Sequence, residues 1–223
     1  MKRGIALLCA VLLLASGVQA VEVSAPSAVL MEKETGTVLF AKDEHKPLEP
    51  ASVTKVMTLL LTMEAVDSGQ LSYDTMITAS AHACSMGGSQ IWLKENEQMT
   101  VEELLKAAAV ASANDASVAL AEHVAGSEES FVALMNQRAQ ELGMENTHFV
   151  NATGLDAEGH VSTARDISIM SAELLKHEGI RKYTSTWMDS LRDGATSLVN
   201  TNKLVRFYKG ATGLKTGTTD GAG

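Results

Sequence analysis

The chain has 223 residues, 45% of them apolar and only three of them proline, the composition of an ordinary globular domain long enough to bury a full core. Its 27 acidic residues outnumber 18 basic ones for a formal net charge of −9, and such a surface repels nucleic acid and anionic lipid. Neither a nucleic-acid-binding protein nor a lipid-surface protein is expected.

Lys2 and Arg3 precede an apolar run from Ile5 to Ala15, and small residues follow at Ser16, Gly17 and Val18-Gln19-Ala20. That order predicts a secretory signal peptide over residues 1–20, cleaved after Ala20, because the run is too short to cross a hydrocarbon core of about 30 Å as a helix. Cleavage removes Lys2, Arg3 and Cys9, leaving 16 cations against 27 acids and Cys84 as the one cysteine. No intrachain disulfide can form, and Cys84 reads as a small buried filler.

In the mature chain, Ala28 to Met31 and Val38 to Ala41 flank Glu34-Thr35-Gly36, the pattern of a hairpin. After Pro47 and Pro50 comes an apolar segment from Val53 to Val66 that stops at Ser68-Gly69, predicting a helix buried on nearly all sides. Further on, Thr100 and Glu103 form a capping box before Leu104 to Ala111. Ser127 opens a helix with Phe131, Met135 and Leu142 on one face, ended by Gly143, and Thr163 opens another through Ile167, Met170, Leu174 and Leu175, ended by Gly179. The last stretch, Thr212 to Thr219, is rich in glycine and β-branched residues and reads as a strand that approaches a ligand closely. Strands at both ends of a helical middle predict an α+β fold, one antiparallel sheet with a helical subdomain. Because the chain stops at Asp220-Gly221-Ala222-Gly223 like a turn into another strand, a fragment lacking further C-terminal sheet strands is expected.

Three short motifs carry chemistry. Ser52-Val53-Thr54-Lys55 lies at the start of the buried helix, where a spacing of three puts a hydroxyl and an amine on one face. A buried lysine near a second cation loses its proton more readily and can activate the serine, while the helix start offers N–H groups to an oxyanion. Alone, this motif is common. Ser112-Ala113-Asn114 is the chain's one S-x-N and also suits a plain helix-to-helix junction. Lys215-Thr216-Gly217 offers an amine, a hydroxyl and a bare backbone to a substrate carboxylate. Together, once each and in this order, the three are specific.

They match the signatures of penicillin-binding proteins and serine β-lactamases. Within that group the chain most resembles low-molecular-mass D-alanyl-D-alanine carboxypeptidases, also through Asn151-Ala152-Thr153-Gly154-Leu155-Asp156 and Ser162-Thr163-Ala164-Arg165-Asp166. The resemblance implies a β-lactamase/transpeptidase-like catalytic domain over residues 21–223, acting on peptidoglycan stem peptides that end in D-Ala-D-Ala and acylated by β-lactams as covalent inhibitors. It implies Ser52 as nucleophile, Lys55 as its base and Ser112 as proton relay. Asn114 would orient Lys55 and bind the peptide, Lys215 and Thr216 would hold the carboxylate beside Gly217, and the N–H groups of Ser52 and Thr218 would form the oxyanion hole. No cofactor or metal is implied, and the six histidines show no metal-ligand spacing. Activity at the extracytoplasmic face follows, with membrane attachment only through a C-terminal region beyond this chain. Two alternatives remain open: a class A β-lactamase using Glu158 to activate water, and a non-catalytic penicillin-binding remnant.

Overall fold

In the computed structural model, residues 22–222 are described, so the expected signal peptide lies outside the described residues. Strands β1 (Ala28–Met31) and β2 (Val38–Lys42) form the expected antiparallel hairpin, with Ala28 opposite Lys42. Glu32 fixes its turn by accepting hydrogen bonds from the amides of Glu34 and Thr35. Beyond Pro50 the chain makes a 3-10 turn, Ala51–Thr54, which continues into helix α1 (Lys55–Asp67).

Ser52 therefore stands in the 3-10 turn and Lys55 begins the α-helix, two residues later than the expected start at Val53. Ala51 sits at φ +45°, which delays the α geometry, and Val53 N donates to Pro50 O at 3.1 Å. Residues three apart eclipse in a 3-10 turn, which aligns Ser52 with Lys55 more closely than an α-helix would.

As its sequence predicts, α1 is buried on nearly all sides, with Lys55 through Met63 and Ala65 inaccessible. It packs against α3 (Val101–Val110), α4 (Asn114–Ala125), α5 (Glu128–Glu141) and α6 (Ala164–Leu174), while the first hairpin leans on α6. The polar groups on α1 are matched by the segment from Phe149 to His160. Thr58 Oγ1 donates to Ala152 O at 2.7 Å, and Thr54 Oγ1 lies 2.7 Å from His160 Nε2. Because His160 Nδ1 accepts from Val150 N, the proton sits on Nε2 and points at Thr54. Burial, reinforced by His148, holds this imidazole neutral with a pKa near 4.

The capping residues place the helices. Thr100 and Glu103 complete both halves of the predicted box at α3. Ser127 Oγ caps α5 by accepting from Ser130 N, and Thr163 Oγ1 caps α6 by accepting from Asp166 N. Helix α6 stops at Leu174, short of Gly179, because the chain turns at Lys176-His177 into a 3-10 turn, Glu178–Ile180, and α7 (Arg181–Thr184). The short α2 (Ala81–Cys84) is capped by Ser80. Cys84 is only half-buried, and burial and acidic neighbours, Asp115 foremost among them, raise its thiol pKa, so it stays protonated.

Two features correct the expected sheet. Among the described residues the strands form three separate two-stranded antiparallel ladders: β1 with β2, β3 (Met76–Thr78) with β4 (Gln98–Thr100), and β5 (Met188–Leu191) with β6 (Thr196–Val199). The segment from Thr212 to Thr219 belongs to no ladder. Side chains hold it instead: Thr184 Oγ1 donates to Thr212 O at 2.8 Å and Asn202 Nδ2 to Gly213 O at 2.9 Å. The single-turn α8 (Leu204–Phe207) precedes it. Overall the architecture is the α+β arrangement expected, a helical body carrying short antiparallel hairpins.

Candidate active site

The 3-10 turn that carries Ser52 is clamped between two glycines. A Cβ on Gly154 would fall 1.8 Å from Ala51 O, and one on Gly217 would fall 2.9 Å from Pro50 O and 3.0 Å from Ser52 N. Only bare backbone fits on either side, which brings the Asn151–Gly154 turn and the Lys215–Gly217 segment against the same few atoms.

Lys55 Nζ lies 3.1 Å from Ser52 Oγ and donates to Thr153 O at 2.6 Å. The side chain is fully buried. Burial, and secondarily the nearby Lys215 cation, hold its ammonium well below the usual lysine range. Burial alone lowers Lys215 to about 8. A neutral Lys55 can then accept a hydrogen bond from the Ser52 hydroxyl, while its own N–H remains on the Thr153 carbonyl.

Ser112 links α3 to α4 and is nearly inaccessible. It occupies φ +61°, a left-handed conformation that costs a non-glycine residue about 1 kcal/mol or more. The motif does lie at a helix-to-helix junction, where Asn114 bonds a backbone carbonyl. Ser52, Ser89, Ser112, Thr201, Thr216, Gly217 and Thr218 line a single cleft of about 450 Å³.

Asn114 sits behind that cleft. Its Nδ2 donates to Gly87 O at 2.7 Å and its backbone N to Ser89 O at 2.7 Å, so it braces the loop that carries Ser89. Its Oδ1 is buried with no partner among the described residues. The group bonded to the Lys55 amine is the Thr153 carbonyl, where Asn114 was expected to orient it. Neighbouring Asp115, fully buried, accepts from Ile91 N and Leu93 N at 3.0 to 3.2 Å and fixes the rest of the loop. Lys215 Nζ donates to Thr216 O, and Thr216 Oγ1 donates to Thr201 Oγ1.

The structure thus gathers Ser52, Lys55, Ser112, Thr216, Gly217 and Thr218 at one cleft, with Lys215 near enough to act on Lys55. Sequence reasoning missed Thr153, Ser89 and Thr201, of which only Thr153 lies in a stretch that the sequence had marked. Glu158 is exposed in the turn before His160 and is not among the residues lining the cleft. Among the described residues no cluster of histidine, cysteine or carboxylate side chains could hold a metal ion.

Solved structures share this fold. Penicillin binding protein 6B from Escherichia coli is 36% identical and superposes with a TM-score of 0.86 over 92% of this chain and 66% of that one. Penicillin-Binding Protein D2 from Listeria monocytogenes, solved in its ampicillin-bound form, is 34% identical with a TM-score of 0.80, over 91% of this chain and 82% of that one. The fold is that of the penicillin-binding proteins, an α+β transpeptidase-type domain.

Residues 15–223 match the peptidase S11 family, described as D-alanyl-D-alanine carboxypeptidase, and the chain belongs to that family. A curated relative, the D-alanyl-D-alanine carboxypeptidase DacF of Bacillus subtilis, is 54% identical over 87% of this chain and 51% of its own length. The chain spans about half the length of the curated relatives it matches.

Proposed function

We propose that this protein is a serine-type D-Ala-D-Ala carboxypeptidase that removes the terminal D-alanine of peptidoglycan stem peptides through an acyl-enzyme on Ser52. The observation that carries the reading is the buried Lys55 amine 3.1 Å from Ser52 Oγ, its proton affinity lowered by burial and by Lys215. Ser52 Oγ attacks the carbonyl carbon between the two D-alanines while its proton passes to neutral Lys55. The N–H groups of Ser52 and Thr218 receive the oxyanion, where one such donor is typically worth about 2.7 to 4 kcal/mol. As the C–N bond breaks, Ser112 relays the proton to the leaving amine. Water then attacks the ester, giving up a proton to Lys55, and Ser52 is regenerated. Lys215 and Thr216 hold the substrate's terminal carboxylate beside Gly217, and Asn114 braces the loop from Gly87 to Ser89 at the edge of the cleft. No cofactor takes part. Cleavage of a signal peptide after Ala20 would deliver the domain to the extracytoplasmic face. No described helix is long and apolar enough to cross a membrane.

Benzylpenicillin should leave one adduct, mapping by mass spectrometry to the peptide containing Ser52. Survival of that adduct in Ser52→Ala would remove Ser52 as nucleophile, and rapid penicillin turnover would favour a β-lactamase.

The pH dependence separates the two lysines. Acylation needs Lys55 neutral, a fraction that grows as pH rises through its depressed pKa, and needs Lys215 charged, a fraction lost as pH rises through about 8. A bell-shaped kcat/KM profile for D-alanine release is expected, because that ratio reports the free enzyme. In Lys215→Arg the fall above pH 8 should disappear, and in Lys215→Gln the rising limb should move to higher pH. A fall near pH 8 that persists in Lys215→Arg would show that another group sets it.

A further inference from the structure

Trp92 is the most exposed large apolar side chain among the described residues, at 73%. Its backbone lies at φ +59°, a conformation unfavourable for so bulky a residue. The strain is fixed from both sides. Ile91 and Leu93 are buried, and both donate their N–H groups to the inaccessible Asp115 carboxylate. Trp92, between them, has nowhere to turn but outward. A tryptophan pushed into solvent by a fully buried anchor is an arrangement that core packing alone does not explain.

Beside it runs a groove of about 600 Å³, walled also by Lys94, Arg192, Thr196 and Ser197. Arg192 bridges the walls, donating from Nη1 to Ile91 O and Thr196 Oγ1 and from Nε to Glu97. These three bonds leave its Nη2 unused.

The groove lies close to the catalytic cleft along two stretches of chain. Ser89 lines the cleft and Trp92 the groove three residues on, while Thr201 lines the cleft and Ser197 the groove four residues back. At about 3.3 to 3.6 Å per extended residue, the groove begins within roughly 10–14 Å of the cleft.

We propose that this groove is a saccharide subsite that binds the glycan strand to which the stem peptide is attached, with a pyranose ring stacked on the Trp92 indole and its hydroxyls bonded by Lys94, Arg192, Thr196 and Ser197. The inference rests on the carboxypeptidase reading for the identity of the strand. Its chemistry is independent of that reading. A pyranose presents a face of C–H groups, which suits the negative face of an indole, and a rim of hydroxyls, which suits hydroxyl and guanidinium partners. An apolar partner would leave the polar walls unpaired, and the walls carry cations and carboxylate together, which suits a neutral ligand better than an anion.

The test uses the full chain and two substrates with the same D-Ala-D-Ala peptide, one free and one attached to a soluble glycan strand. The ratio of kcat/KM for D-alanine release, attached over free, should be about 5 to 10 in the wild-type protein, within what one aromatic contact supplies. It should fall to about one in Trp92→Gly, which suits the left-handed backbone and should fold, and recover in part in Trp92→Phe. A second arm titrates peptide-free glycan strands against the fluorescence of Trp92 in a Trp187→Phe background, where a saturable change is expected. A wild-type ratio near one, a ratio unchanged in Trp92→Gly, or a flat titration overturns the proposal. If the wild-type protein releases D-alanine from neither substrate, the function proposed above fails and the fluorescence arm alone decides the subsite.

Discussion

Lys55→Arg is expected to reduce acylation by a fluorescent penicillin by about 10²- to 10⁴-fold, the range supplied by a positioned general base. The Ser52 hydroxyl is a poor nucleophile until a neighbour accepts its proton, and the group at 3.1 Å is Lys55. Burial and Lys215 both disfavour the charged amine there, which favours the neutral form that can accept a proton. Arginine keeps its charge in essentially every protein environment and cannot take that proton. Because a guanidinium is also larger than the amine it replaces, Lys55→Met serves as a second variant. Methionine has similar length and no charge, so it should fold with a loss of about 1 to 3 kcal/mol for the unpaired Thr153 carbonyl and be equally inert toward penicillin. Rapid acylation in either folded variant would remove Lys55 as the base.

Gly154→Ala is expected to cost about 2 to 5 kcal/mol of stability and most of the acylation rate. Two costs add. A non-glycine residue at φ +85° carries about 1 to 2 kcal/mol of strain, and forcing a methyl group into packed backbone costs a further 1 to 3 kcal/mol. The methyl would lie 1.8 Å from Ala51 O and 2.9 Å from Ser52 N, neither of them the end of a flexible side chain. Nor can Gly154 retreat easily, because its N–H is held by Asn151 Oδ1 at 2.7 Å and the adjacent Thr153 carbonyl holds Lys55. Relief must therefore come from moving either the nucleophile or the base. Denaturant unfolding and penicillin acylation measured on the same preparation check both halves, and a variant with wild-type midpoint and rate would show that the clamp is not needed.

The residues of the site were legible because their chemistry is local. Ser52 and Lys55 are three apart, the T-x-x-E box at α3 sets its own boundary, and the first hairpin is announced by its turn. What joins distant segments was not legible. Thr153 contributes a backbone carbonyl, which any residue possesses, so nothing in its side chain marks it as the partner of Lys55. The three-residue strands β3 and β4 are shorter than any pattern of alternation can register. The composition of Thr212 to Thr219 did indicate an extended segment near a ligand, but composition cannot say whether its backbone meets a partner strand or the side chains of Thr184 and Asn202. Similarly, Asp115 follows the second motif without any sign of its three backbone bonds to Ile91, Leu93 and Ala116.

The influence of Lys215 on Lys55 makes carboxylate binding and proton binding reciprocal. A ligand carboxylate seated on Lys215 offsets its positive field, and whatever Lys215 takes from the proton affinity of Lys55 the ligand then restores in part. In the carboxypeptidase proposed above, the base would thereby be strengthened by the arrival of the group that marks a correct chain end. On that proposal a peptide whose terminus is amidated would meet the weaker base, so discrimination against it would enter the chemical step as well as the binding step. On the function proposed above, the free carboxylate would be read twice, first as an anchor and then as a regulator of basicity.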